Sequence, residues 1–435
     1  MAPGLLIAAS ASGCGKTTVT LGLLRHLRDA GCAVSSIKVG PDYIDPAFHA
    51  AASGRACLNL DGWAMRPATL ARLVARAGEG ADLVLGEGVM GLFDGAAGGG
   101  GSTADLAALT GWPVVLVLDV RGQGASAAAT LAGFARHRAD VTVAGVILNR
   151  VGGGTHRRTI EAACAPLGIP VLGALPRNAA IALPDRHLGL VQAAEHPGLS
   201  AYLAAAGDFV AGHVDVAALS ALARPATVAA TAPATVLPMP GQRIAVARDV
   251  AFAFAYAFVL DGWRAAGAEI HPFSPLADDA PDAAADAIYL PGGYPELHAG
   301  RLAANRRFID GVAAAAARGA VIYGECGGYM VLGRGLVDGD GARHRMAGLL
   351  PLESSFARPG LTLGYRRVAV LADGPLGRPG DGFRGHEFHY AKAVAHGGPA
   401  LFRAFDSTGV DLGLVGHRCG SVMGSFTHLI DRDPA

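Results

Sequence analysis

The chain has 435 residues, 51% of them hydrophobic and 17% charged, which is too long for one ordinary core and too apolar for a disordered segment. Thirty-six basic residues balance thirty-six acidic ones, so the formal net charge is zero and the electrostatic footprint of a nucleic-acid or anionic-membrane partner is missing. Six cysteines with no C-x-x-C pair exclude a disulfide framework and a zinc ribbon, and the longest late apolar run, 250–260, is too short to span a bilayer, which together point to the cytoplasm.

Residues 5–9 read as a short apolar strand, running straight into Ser10-Ala11-Ser12-Gly13-Cys14-Gly15-Lys16-Thr17-Thr18 and then a helical pattern over 19–30. The loop fits G-x-x-x-x-G-K-[ST] with Ser10 in place of the first glycine, in the strand–loop–helix context that the motif requires. Backbone N–H groups through Ser12, Gly13, Gly15 and Thr18 are expected to cradle the phosphates of ATP, Lys16 to neutralise their charge, and the Thr17 hydroxyl to ligate Mg²⁺. Partitioning-type ATPases carry a lysine at the second loop position, where this chain has Ala11.

A second strand over 33–39 ends in Lys38-Val39-Gly40-Pro41-Asp42-Tyr43-Ile44-Asp45-Pro46-Ala47-Phe48-His49, a stretch suited to the ligand crevice of an open α/β sheet, although proline and aspartate are also ordinary loop formers. A third, over 81–85, leads to Gly86-Glu87-Gly88 and on through Asp94 into a glycine-rich segment; Glu87 falls where a carboxylate would approach the Mg²⁺ of bound ATP. Strands over 113–119, 141–148 and 170–175 follow. Asn149 closes the second of these, where it could read an adenine edge or simply make a turn. Alternation of these strands with alanine-rich helical segments predicts a doubly wound parallel sheet.

Residues 224–242 are rich in Ala, Thr and Pro and read as a linker between a phosphate-loop domain over 1–223 and a second α/β domain over 243–435. In the second domain, strands over 243–247 and 286–290 precede Pro291-Gly292-Gly293, whose free N–H groups could face an oxyanion. The run Val321-Ile322-Tyr323-Gly324-Glu325-Cys326-Gly327-Gly328-Tyr329 then delivers a cysteine as G-x-C-x-G, the spacing of a strand-to-helix elbow that exposes a nucleophile. A following helix N-terminus is expected to lower the thiol pKa. His428, after a strand-like 421–426, is the expected partner of Cys326. His386, Glu387 and His389 are spaced for a strand rather than a helical metal motif, so a structural or substrate contact is preferred there.

Taken together, the 10–18 loop, "GPDYIDP", "EGVMGLFDG", the Cys326 elbow, "GHEFHY" and the 424–428 stretch closely resemble the cobyrinic acid a,c-diamide synthase family of cobalamin biosynthesis, over essentially the whole chain and in the family's order. The resemblance implies an N-terminal domain similar to dethiobiotin synthetase and a C-terminal class I glutamine amidotransferase domain. It further implies a C–N ligase in which Cys326 and His428 release ammonia from glutamine while backbone N–H groups near Gly293 and Gly327 hold the oxyanion. ATP with Mg²⁺ would activate carboxylates of a corrin-type acid, cobalt-containing or metal-free. Thr17, Asp42 and Glu87 become the metal and phosphate set, Lys16 and Lys38 the phosphate cations, and Tyr43, Asp45 and Asp94 the substrate side. His428 is followed by Leu429-Ile430 instead of x-Glu, so the acid that usually completes a triad is absent from its place. A cobyric acid synthase or a sirohydrochlorin diamide synthase would share both centres, a partitioning-type switch with an inert tail would share only the first, and a homodimer stays open.

Overall fold

The computed structural model describes residues 2–178, 181, 192–229, 237–395 and 397–434. The chain divides into two compact units, residues 1–63 with 67–233 and residues 64–66 with 234–435.

Strands with apolar residues on both faces need cover on both sides, which a parallel sheet wrapped by helices provides. In the first unit β1 (Pro3–Ala9), β2 (Val34–Val39), β3 (Leu58–Leu60), β4 (Leu83–Glu87), β5 (Val114–Asp119), β6 (Val143–Val151) and β7 (Val171–Pro176) lie in the order β3-β2-β4-β1-β5-β6-β7, every pairing parallel. The connection from β1 runs to one side of the sheet and that from β4 to the other, so their carboxyl ends border the switch point where such sheets take ligands. Here β4 reaches Glu87 and β6 reaches Val151, past the expected ends at 85 and 148. The apolar pattern stops earlier than the hydrogen-bond ladder does, because Glu87 still pairs with Ile7 and Lys38. The expected linker begins inside this unit: β8 (Arg224–Pro225) pairs antiparallel with β1, and Thr227 donates its backbone N–H to Thr110 at 2.8 Å. Residues 230–236, the middle of that stretch, lie outside the described residues.

The second unit holds a six-stranded sheet, β10-β9-β11-β12-β22-β21. Its strands β9 (Arg243–Ala247), β10 (Glu269–Phe273), β11 (Ala287–Leu290), β12 (Val321–Glu325) and β22 (Val422–Ser425) are parallel, and β21 (His417–Cys419) is an antiparallel edge. Phe252, Leu290, Phe308, Ile322 and Tyr329 fill its core. A small sheet combines β13 (Gly335–Val337), β14 (Arg343–Arg345), β15 (Glu353–Ser355) and β18 (Lys392–Ala395). A five-stranded antiparallel sheet, β20-β19-β16-β17-β23, is built from β16 (Thr362–Val370), β17 (Gly382–His389), β19 (Phe402–Asp406), β20 (Asp411–Val415) and β23 (His428–Arg432). The "GHEFHY" stretch is the end of β17, a strand as its alternation implies, and His386 sits directly opposite His428. No helix among the described residues is long and apolar enough to cross a membrane, and all six cysteines are free thiols.

Candidate functional site

In the first unit the loop after β1 turns through Gly13 (φ 74°) and Gly15 (φ 90°), conformations that cost glycine little, and Gly15 caps the helix Lys16–Asp29. Ser12 and Gly13 are exposed, while Thr18 lines a cavity of about 340 Å³ with Gly15, Asn149 and Ile181. Buried Lys16 donates to the carbonyl of Met90 at 2.7 Å, and burial pulls its pKa down. Met90 has φ 45°, a strained conformation for a residue with a side chain, and it lies near the start of the loop that follows Glu87.

Glu87 is the centre of this site and is fully buried. Its Oε1 accepts from Thr17 Oγ1 at 2.7 Å and from Lys38 Nζ at 2.8 Å, and its Oε2 meets His49 Nε2 at 2.6 Å. Lys38 also donates to Asp45 Oδ2 at 2.5 Å. Burial alone would push Glu87 up, yet Lys38 and His49 outweigh it and hold the carboxylate well below its usual range. Lys38 is likewise held above its ordinary value by Asp45 and Glu87 against the pull of burial. Thr17 Oγ1, Glu87 Oε1 and Asp45 Oδ2 converge, with Thr17 to Asp45 at 3.4 Å. One hydroxyl and two carboxylates fit Mg²⁺, which keeps waters and takes its remaining ligands from phosphates.

Asp42 stands one step outside this cluster. Its Oδ1 caps the backbone N–H groups of Ile44 (2.8 Å) and Asp45 (3.1 Å), its Oδ2 is 3.9 Å from Lys38, and burial and the neighbouring Asp45 push it up to about 6. It is therefore Asp45 that shares Thr17 and Lys38 with Glu87. Tyr43 is half-buried in the same loop, and Asp94 closes a local turn by accepting from Gly91 N at 2.8 Å. Asn149 Nδ2 donates to the Cys14 carbonyl at 2.8 Å, pinning the phosphate loop, and a side chain at Gly15 would strike it at 2.3 Å.

In the second unit the backbone at Cys326 has φ 45° and ψ −103° between β12 and the short helix Gly327–Leu332. A structural cysteine needs no such strain, so burial among core residues does not explain this one. The surrounding glycines are sterically required. A Cβ at Gly328 would lie 1.9 Å from the Leu290 carbonyl, one at Gly324 would lie 2.9 Å from the Gly328 backbone, and one at Gly327 would lie 3.0 Å from Gly293 N. Gly293 and Gly327 thus bring their backbones side by side next to Cys326. A Cβ at Gly292 would lie 2.9 Å from His428 Nε2 and 3.3 Å from Cys326 Cβ, which puts the imidazole and the nucleophile in one cleft.

The expected lowering of the thiol pKa does not occur. Burial, then the nearby Glu296, push Cys326 well above its ordinary value, and the Gly327 N–H opposes them only partly; a six-residue helix has little dipole to offer. His428 is fully buried and pushed down to about 3 by burial and by His386 and His389. The resting pair is a thiol and a neutral imidazole. Glu387 is taken up by Arg366 Nε (2.6 Å) and His389 Nε2 (3.1 Å).

Four residues escape the sequence reading. His49 lies four residues after Asp45 on the helix Asp45–Ser53, a spacing that puts both on one face. Asn59 Nδ2 donates to the carbonyls of Gly40 (3.0 Å) and Asp42 (2.8 Å), fixing the acidic loop. Glu296 has an Oε2 without a hydrogen-bond partner, and burial pushes the carboxyl up to about 8. Glu325 directly precedes the nucleophile: it accepts from Tyr289 Oη (2.7 Å), Tyr323 Oη (2.9 Å) and Leu429 N (3.0 Å), and its Oε2 is 3.8 Å from His428 Nδ1. Its signal in the sequence is a lone acid at the end of an apolar strand.

Residues 5–191 match the CobQ/CobB/MinD/ParA nucleotide binding domain, and residues 243–434 match the CobB/CobQ-like glutamine amidotransferase domain. The chain is 56% identical over 431 residues to the hydrogenobyrinate a,c-diamide synthase of Brucella suis, with 98% of each chain covered. It is 54% identical over 433 residues to the enzyme of that name from Rhizobium meliloti, covering 98% of this chain and 99% of that one. The Rhodobacter capsulatus enzyme of the same name is 54% identical over 431 residues, with 98% of each covered.

Proposed function

Because the chain belongs to the hydrogenobyrinate a,c-diamide synthase family, we propose that it converts the a and c carboxylates of hydrogenobyrinate to amides, using ATP and the side-chain nitrogen of glutamine. The observation that carries the glutamine half is the strained Cys326 at the end of β12, with His428 in the same cleft.

At that cleft the Cys326 thiol gives its proton to His428 Nε2 as the sulfur attacks the glutamine amide carbon, and the N–H groups of Gly293 and Gly327 receive the oxyanion. Collapse of the tetrahedral intermediate expels ammonia, which takes the proton from His428. The remaining glutamyl thioester is hydrolysed by a water deprotonated by the same imidazole. In the first unit a substrate carboxylate oxygen attacks the γ-phosphorus of ATP, and ADP leaves. Lys16 and Lys38 hold the phosphates, Asp42, Tyr43 and Asp94 face the macrocycle, and Asn149 keeps the loop in shape. Thr17, Glu87 and Asp45 would hold Mg²⁺, which would supply charge neutralisation to the phosphoryl group being transferred. Ammonia then displaces phosphate from the acyl phosphate. Both activations are needed, since a carboxylate is a poor electrophile and free ammonia is mostly protonated at neutral pH.

The test is incubation of the full chain with ATP, Mg²⁺, glutamine and either hydrogenobyrinate or its cobalt-containing counterpart, with the product followed by mass. Two amidations of hydrogenobyrinate are expected; addition of nitrogen to neither acid overturns the reading. Cys326→Ala is expected to abolish glutamine-dependent synthesis and retain synthesis from added ammonia, and loss of both would remove Cys326 from the ammonia-producing step.

A further inference from the structure

The acid that usually follows the histidine is missing here, and the sequence after His428 offers only Leu429 and Ile430. The imidazole nevertheless has two distinct surroundings. Its Nε2 edge shares the cleft at Gly292 with Cys326, and its Nδ1 faces Glu325 Oε2 at 3.8 Å. Of the titratable groups nearby, His386 and His389 of β17 act on the imidazole, whereas Glu387 of the same strand and Glu296, from the short helical turn after β11, act on Cys326. Glu387 is engaged by Arg366 and His389, and the carboxylate paired with Nδ1 is Glu325.

We infer that Glu325, supplied by the nucleophile's own strand one residue before Cys326, is the residue that orients His428 and offsets the charge that the imidazole gains during glutamine hydrolysis. The inference rests on the reading of Cys326 and His428 as the hydrolytic pair. Three donors aim the carboxylate: Tyr289 Oη at Oε2, Tyr323 Oη and Leu429 N at Oε1. Leu429 is the neighbour of His428, so the same carboxylate fixes both the backbone that carries the imidazole and the ring nitrogen remote from sulfur. A carboxylate at Nδ1 keeps the proton there and leaves the Nε2 lone pair for the thiol; an amide in its place can donate to Nδ1 and select the wrong tautomer. The 3.8 Å separation is of the kind that tightens when substrate fills a site.

Burial pushes Glu325 up to about 7, opposed by Tyr289, Leu429 and Tyr323. Glutaminase kcat/KM should therefore rise with pH through that region as the carboxylate forms. In the full chain, Glu325→Gln is expected to lower glutaminase kcat by about 10²-fold or more, remove this acid limb, leave KM for glutamine within about threefold, and retain ammonia-dependent amidation. Combined with His428→Gln, it should cost no further loss, because it acts through the imidazole. Should Glu325→Gln fail to fold, Tyr289→Phe removes one donor, raises the Glu325 pKa, and should move the acid limb to higher pH. An unchanged kcat in Glu325→Gln, multiplicative losses in the double variant, or an acid limb unmoved in Tyr289→Phe overturns the assignment. Cys326→Ala, run in parallel, separates this failure from that of the hydrolytic pair itself.

Discussion

Gly292→Ala tests the nucleophile cleft with a single methyl group. Gly292 is not in the left-handed region, so alanine meets no backbone penalty, and the whole effect is steric. The added carbon would lie 2.3 Å from His428 Cε1 and 2.9 Å from its Nε2. Ordinary carbon contacts are about 3.5–4.0 Å, so the ring must retreat by roughly an ångström. Displacement on that scale costs on the order of 10²-fold in rate, about 2.7 kcal/mol in the barrier, while the crowding itself costs about 1–3 kcal/mol of stability. The assay compares glutamine-dependent with ammonia-dependent amidation in the same preparation. Only the first should fall, and addition of ammonia should restore product. Glutamine-dependent kcat within about threefold of the parent would refute the placement of His428 beside Cys326, as would a parallel fall in both reactions.

Lys38→Met removes the cation shared by Glu87 and Asp45, leaving a buried carboxylate short of a partner; a loss of about 3–5 kcal/mol is expected in urea unfolding without nucleotide. Stability within about 1 kcal/mol of the parent would mean that the cluster is not held by this ion pair. Glu296→Gln should speed alkylation of Cys326 only in alkaline solution. Below its value of about 8 the Glu296 carboxyl is protonated and its replacement changes little, whereas above it the negative charge resists thiolate formation. Rates compared from pH 7 to 9 with iodoacetamide check this, and an equal acceleration at both ends would count against the charge as the cause.

The phosphate loop and the Cys326 elbow were legible in the sequence because their constraints are local: each needs glycines at fixed spacing between a strand and a helix. The doubly wound sheet was legible for a similar reason, since its central strands are continuous apolar runs. The antiparallel sheet that carries His428 was much less so. Its strands present half-exposed faces with charged residues such as Arg366 and Arg384, and their pairings join residues as distant as His386 and His428. The partners of Glu87 were hidden in the same way. Lys38 and His49 reach it from β2 and from the helix Asp45–Ser53, and only the fold brings these elements to the end of β4. A search for the missing acid downstream of His428 looks along the chain, whereas Glu325 approaches Nδ1 from the end of β12, a strand of the six-stranded sheet.

The two clusters use burial in opposite senses, and the chemistry of each half explains why. Around Glu87, burial is overcome by Lys38 and His49, so charge persists out of water and can meet phosphates whose own charge must be balanced during transfer. Around Cys326, burial prevails: the thiol is pushed up, His428 is pushed down to about 3 and Glu325 up to about 7. A standing thiolate would be open to oxidation and alkylation between turnovers, and a neutral pair avoids that. In the proposed reaction its activation would depend on bound glutamine, which would bring a carbonyl to the Gly293 and Gly327 N–H groups and let charge develop where donors already wait. Proton transfer from Cys326 to His428 would thereby be tied to attack on substrate, which would give the buried acid at Nδ1 its importance at the moment when the imidazole becomes positive.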